Sequence, residues 1–321
     1  MKRSDSIRVP RGALAGFWSR HSTMIAAMSA LVLLPIGVSD AGARSHVSKS
    51  SSRHGKSPKH VASPKSHHIR LAALGPNGID PSALKSVANP CDPSKFKIVL
   101  DVGHTAESEG AISARNIAEF VFNLRLAKRI EEKLKGEGFA ETRLLVTGGK
   151  ARPSLFRRVA AANRLHADLF LSIHHDSVPD SFLENWEFEG KKSHFSDRFS
   201  GYSVFVSRNN ADFRTSLLFA NLVAKEMKAS GLQYAQQYSQ PVMGRYRHPL
   251  LNEETGVYSY DKLIVLKSTQ MPAVLLEAGS ISNRDEELEM MSPERQDIIA
   301  SGVTEAVKEF CDPRWAILGP L

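Results

Sequence analysis

From residue 95 the chain alternates short apolar runs with longer amphipathic stretches. "FKIVLDV" (96–102) reads as a buried strand. It is followed by "ARNIAEFVFNLRLAKRIEEKLKGEGF", in which Ile117, Phe120, Val121, Leu124, Ala127, Ile130 and Leu134 recur at helical spacing. Gly136 and Gly138 stop that helix. "RLLVT" (143–147) predicts a strand, "PSLFRRVAAANRLH" (153–166) a helix opened by proline, and "ADLFLSIHH" (167–175) a second buried strand. "GYSVFVS" (201–207) is a further strand and 212–231 a helix. "KLIVLKS" and "PAVLLEAG" predict two more strands, and "SPERQDIIASGVTEAVKEF" a closing helix. The order predicts an α/β fold: one twisted, mostly parallel or mixed sheet of about six strands, with helices on both faces.

Polar residues collect where these strands end. His104 follows the first, His174, His175 and Asp176 close the third, and Glu277 lies at the end of the last. In open α/β sheets, the space beyond the carboxyl ends of strands is where ligands bind.

Charge changes the picture only at the N-terminus. The 321 residues carry a formal net charge of +8, but residues 1–91 hold 13 Lys and Arg against 3 Asp and Glu, so 92–321 is nearly neutral. That balance argues against a nucleic-acid partner for the main domain. Lys2, Arg3, Arg8, Arg11 and Arg20 precede the uncharged run "HSTMIAAMSALVLLPIGVS", and "AGA" follows at 41–43. Residues 1–43 therefore read as an export signal to the periplasm or cell envelope, with membrane contact only through that segment if it stays uncleaved. Residues 44–90 are rich in Ser, Lys and His and poor in large apolar side chains, which predicts a basic flexible linker. The remaining 91–321 form the main domain. Its two cysteines, Cys91 and Cys311, bracket it, and in an exported protein they predict one disulfide. On the chain-entropy model a loop that long gains roughly 4–5 kcal/mol.

Two imidazoles and a carboxylate are a standard donor set for catalytic zinc, leaving one coordination position open. His104 and one of His174 and His175 can supply the nitrogens. Glu107, Glu109 and Glu119 are the carboxylates nearby in sequence. The first two sit in the loop after the strand, whereas Glu119 opens the following helix and can aim back toward the strand end. Alternation along a strand sends His174 and His175 to opposite faces, so one of them is expected at the metal.

In this order, "IVLDVGH", a Glu fifteen residues on, "RRVAAANRLHADLFLSIHHDS", "GYSVFVS" and "PAVLLEAGSISN" resemble the zinc-dependent N-acetylmuramoyl-L-alanine amidases of the Amidase_3 type, over about 95–310. The resemblance implies Zn2+ held by His104, Glu119 and His174, with Glu277 catalytic. It also implies a peptidoglycan substrate, cut at the amide between N-acetylmuramic acid and L-alanine. The chain departs from the family's "DPGHGG" loop, reading "DVGHTA", and carries a long segment at 178–200 before its next strand. Two alternatives stay open: a zinc peptidase acting on wall peptides, and a non-catalytic wall-binding protein of the same fold. His248 and Arg245 lie in a loop-rich stretch where surface positions are the default. No feature names an activator protein.

Overall fold

The computed structural model describes residues 91–312. The leader read at 1–43 and the linker at 44–90 lie outside the described residues. Nine strands and six α-helices follow in chain order: β1 (Ile98–Val102), α1 (Glu119–Gly136), β2 (Arg143–Leu145), α2 (Ala151–Leu165), β3 (Leu169–Asp176), β4 (Glu184–Phe188), β5 (Lys191–Phe195), β6 (Ser203–Val206), α3 (Phe213–Ala229), β7 (Leu250–Asn252), β8 (Val257–Ser259), α4 (Ile264–Lys267), β9 (Ala273–Ser280), α5 (Arg284–Met291) and α6 (Pro293–Phe310).

Seven strands form one mixed sheet in the order β2-β1-β3-β9-β6-β8-β7, and β4 and β5 form a separate antiparallel hairpin. β1, β2, β3 and β9 run parallel, while β6 lies antiparallel to β9. Alternation along the buried strands divides the core. Leu100, Val102, Leu171, Ile173, Val204 and Leu276 pack with α1, α3 and α6. Val99, Phe170, Phe205 and Leu275 pack on the other face with Val159 of α2 and Val265 and Leu266 of α4. Helices cover both faces, as the pattern predicts.

Three details differ from the sequence reading. "KLIVLKS", expected as a strand, is the short helix α4, because a brief apolar run buried on a sheet face satisfies either conformation. Two sheet strands, β7 and β8, three residues each, lie in the stretch read as loop-rich. The buried stripe of α1 runs through Glu119, Phe122, Asn123, Leu126, Ala127, Ile130 and Leu134; Ile117, Phe120 and Leu124 are only partly buried at its edge. Two polar residues in that stripe, Glu119 and Asn123, serve the site described below.

Cys91 and Cys311 are joined, with Cα atoms 4.9 Å apart and a sequence separation of 220. They tie the start of the domain to the end of α6, beside Phe96 and Phe310, whose rings lie 6.2 Å apart. Reduction is expected to lower unfolding free energy by up to about 5 kcal/mol, the chain-entropy figure for so long a loop. Urea unfolding with and without reductant measures it, and coincident midpoints would refute it.

Candidate metal and catalytic site

β1, β3 and β9 are parallel neighbours, so their carboxyl ends open onto one side of the sheet. Register fixes what meets there: Val102 pairs with Ile173, and His174 pairs with Glu277, which in turn faces Ser203 of β6. Just beyond β1 the chain turns through Gly103 and His104. Gly103 is required by its neighbour, since a Cβ there would lie 2.5 Å from the His174 ring. His104 has φ 64°, a left-handed conformation that a side-chain-bearing residue adopts at a cost on the order of 1 kcal/mol. The guanidinium of Arg158 holds it there by donating to the His104 carbonyl.

Arg158 projects from α2 and is 1% exposed, against Asp101 at 0%. Its Nη1 lies 3.2 Å from Asp101 Oδ2, which also accepts from Ser172 Oγ at 2.7 Å. Burial raises the Asp101 carboxyl, with Arg158 opposing. Removing one partner of such a pair leaves the other charge uncompensated. Arg158→Met is expected to destabilise the fold by about 3–5 kcal/mol in chemical denaturation. A loss under about 1 kcal/mol would mean that the pair adds nothing over an apolar contact.

Glu119 bridges the two histidines from the first turn of α1. Its Oε2 lies 2.9 Å from His104 Nε2 and its Oε1 2.9 Å from His174 Nδ1. Asn123 Nδ2 donates to Oε1 at 3.1 Å and the Ala111 N–H to Oε2 at 3.1 Å. Burial acts to raise this carboxyl, but the hydrogen bonds and charges of the two imidazoles together hold it well below the usual range. One donor atom from each of His104, Glu119 and His174 can be chosen so that all lie within 4.8 Å of one another, a spacing that a single cation can span. Gly110, at φ 84°, packs directly against this cluster, since a Cβ there would come within 2.4 Å of Glu119 Oε2.

His175 turns to the other face, as alternation requires. It is 1% exposed, its Nδ1 is 2.8 Å from Asn123 Oδ1, and its ring centroid is 5.5 Å from that of Phe122. Burial pushes it down to about 3, so it is a neutral core residue. Asn123 thus serves both sides, holding His175 with its oxygen and Glu119 with its nitrogen.

Glu277 completes the strand-end group. Its Oε2 is buried and has no hydrogen-bond partner. Burial, then the charges of Asp176 and Glu119, push its carboxyl well above the usual range. Asp176, at the end of β3, accepts from the Tyr238 hydroxyl and is itself pushed up to about 8 by burial. Beside these groups lies a cavity of about 500 Å³ to whose lining both α2 and residues 243–248 contribute. His104, His174 and Glu277 are part of its lining, and Leu155, Phe205, Tyr238 and Tyr260 make much of the rest apolar. His248 also lines it, with Nδ1 3.2 Å from the Ser259 carbonyl, and burial lowers its pKa.

The structure therefore brings His104, Glu119 and His174 into one cluster, puts Glu277 next to it, and sets His175 apart. Glu107 points elsewhere, accepting from the Gly149 N–H at 2.8 Å, and Glu109 is exposed. Thr105, one of the departures from the family loop, is buried and donates to the Gly149 carbonyl at 2.7 Å. The segment 178–200 lines the cavity only through Val178 and Pro179. Its β4–β5 hairpin packs on the loop before α1: Trp186 Nε1 and Ser193 Oγ donate to the Ala114 carbonyl at 2.8 and 2.7 Å. The Arg284 guanidinium, paired with Asp197, stacks 3.8 Å above the Phe195 ring. The hairpin thereby buttresses the turn that leads into Glu119.

Sequence reasoning missed Arg158 and Asn123. The signal for Arg158 was a cation on the buried stripe of α2 together with an acid in the middle of an apolar strand.

A family model described as N-acetylmuramoyl-L-alanine amidase matches residues 98–309. A putative N-acetylmuramoyl-L-alanine amidase of Buchnera aphidicola is 25% identical over 226 residues, covering 66% of this chain and 95% of that protein. The N-acetylmuramoyl-L-alanine amidase AmiA of Escherichia coli is 27% identical over 242 residues, covering 67% and 76%. Among solved structures, the amidase Ami1 from Mycobacterium smegmatis superposes with a TM-score of 0.52 at 20% identity, covering 70% of this chain and 99% of that one, a likeness of fold.

Proposed function

The chain belongs to the N-acetylmuramoyl-L-alanine amidase family and is a peptidoglycan hydrolase of that class, and from this premise we propose that His104, Glu119 and His174 hold a zinc ion and that Glu277 is the catalytic base. The observation that carries the assignment is the juxtaposition of three converging donor atoms within 4.8 Å with a buried carboxylate oxygen that has no partner. The donors fit the ion: two imidazole nitrogens and one carboxylate oxygen leave a coordination position free, and Asn123 and the Ala111 N–H orient the carboxylate. Zinc bound there supplies Lewis-acid chemistry, lowering the pKa of water and polarising the scissile carbonyl.

Glu277 then handles the proton. A water oxygen adds to the carbonyl carbon of the lactyl amide, and Glu277 accepts the proton that water gives up. As the C–N bond breaks, the same carboxyl returns the proton to the alanine nitrogen, leaving a carboxylate on the muramic acid and an amine on the peptide. A carboxyl raised by its surroundings suits both steps better than an ordinary one. Arg158 and Gly103 keep His104 and His174 where these steps need them.

Outside the matched residues 98–309, charge and composition carry the proposal. Residues 1–43 direct export, 44–90 tether, and 91–321 are catalytic, which puts the enzyme where its polymeric substrate lies. The direct test is mass analysis of purified peptidoglycan after incubation with the protein. Free stem peptides with an intact L-alanine amine, together with peptide-free glycan, are expected. Cuts within the stem peptide would instead indicate a wall peptidase, and unchanged material a binding protein.

A further inference from the structure

Exposed cations flank, along the chain, the residues of both stretches that line the catalytic cavity, and acids are scarce beside them. Ala151, Ser154 and Leu155 of α2 come from one stretch, and Lys150, Arg152 and Arg157 stand exposed among them in the chain. Tyr246, His248, Tyr260 and Leu263 come from the other, interleaved with exposed Arg245, Arg247 and Lys262. None of these six cations forms an ion pair with an acid among the described residues, although ion pairs are common elsewhere: Arg129 meets Asp297, Arg208 meets Asp261, Lys225 meets Glu309 and Arg284 meets Asp197. Two exposed acids stand near these stretches: Asp180, next to Pro179, and Glu107, which accepts from the Gly149 N–H and whose carboxyl Arg157 helps to lower.

Two of the arginines are held in place by other means. Arg245 stacks 4.9 Å from the Tyr246 ring and donates to its hydroxyl at 2.8 Å. Arg247 donates from Nε to the Ser239 carbonyl at 3.1 Å. Each keeps guanidinium N–H groups free for a carboxylate, which arginine binds bidentately.

The chemistry of the substrate says which side of the scissile bond these cations meet. The muramic acid carboxyl is tied up in the amide being cut, so the glycan side is uncharged there. The stem peptide beyond L-alanine bears free carboxylates wherever these are not amidated. We propose that these cations bind the stem-peptide carboxylates, with Arg152, Arg245 and Arg247 selecting peptides with free carboxylates over amidated ones. The peptide then lies over the apolar cavity lined by α2 and residues 243–248, and the glycan leaves from the opposite side of His104 and His174. This rests on the amidase reading above.

The test uses the full chain and two soluble muropeptides that differ at one position, D-glutamate in one and D-isoglutamine in the other. The acidic substrate is expected to be preferred in kcat/KM by roughly twofold to thirtyfold, the range that two exposed ion pairs give, with the difference in KM and shrinking as salt is raised. In the combined variant Arg152→Gln, Arg245→Gln, Arg247→Gln the preference should fall toward one, while Lys128→Gln on the outer face of α1 should leave it in place. Equal kcat/KM for the two substrates in the unmodified protein, or a preference that survives the triple variant, would overturn the proposal while the amidase reading stands. Cleavage of neither muropeptide would overturn both.

Discussion

Glu277→Gln is expected to keep its zinc and lose amide hydrolysis by roughly 10²–10⁴-fold, the range for removing a general base. The substitution is nearly isosteric, and Glu277 pairs through its backbone with β3 and β6, so the strand should be unaffected. The amide carries no charge for Asp176 and Glu119 to repel, which offsets the donor it places where Oε2 has no partner. Fold stability should therefore hold or rise slightly while turnover collapses, a split that a merely structural role would not produce. Zinc content, thermal unfolding and release of stem peptide from glycan would be measured on the same preparation. If turnover stays near that of the unmodified protein, the base lies elsewhere, and Asp176 at the end of β3 becomes the leading carboxylate. Glu107 is a poor substitute because it is engaged with Gly149. If zinc is lost with activity, Glu277 is a ligand.

The sequence made these strand ends legible because polar residues interrupt apolar runs at positions that parallel strands bring together. His104, His174 and Glu277 are far apart in the chain, yet each lies near the carboxyl end of a strand, and β1, β3 and β9 are consecutive in the sheet. Alternation left room for only one of His174 and His175 at the metal, and the family resemblance singled out His174. Other features depend on contacts that no local pattern encodes. The buried face of α1 includes Asn123 because Glu119 and His175 need it, so counting only apolar residues puts the stripe in the wrong phase. β7 and β8 are too short to show a period and are fixed by pairing to each other and to β6. α4 carries the same apolar letters a strand would, and its conformation is decided by packing between α2 and β9 rather than by its own residues. The cations flanking the cavity lining were invisible for a related reason: they come from two separated stretches, 150–157 and 245–262, each of which alone reads as ordinary surface.

His104→Ala should abolish both zinc retention and hydrolysis. Two protein donors, Glu119 and His174, would remain, and structural experience with zinc puts three as the working minimum for a catalytic site. The affinity loss should exceed the roughly 10–100-fold that follows removal of an outer partner of a ligand. Folding should survive, because what holds the loop is the Arg158 contact to the His104 backbone carbonyl, which alanine keeps. Alanine inherits the left-handed backbone of this position, φ 64°, at a cost on the order of 1 kcal/mol, small beside the stability of a domain closed by a disulfide. The unmodified protein stripped with chelator provides the matching control: both should be inactive and folded, but added zinc should restore only the unmodified chain. Loss of activity with stoichiometric zinc still bound to His104→Ala would remove His104 from the ligand set and point to Asp176, on the same strand as His174, as the third donor. Recovery of the variant by zinc at modest excess would mean that Glu119 and His174 suffice to hold the ion, and that the third position is filled from outside the protein.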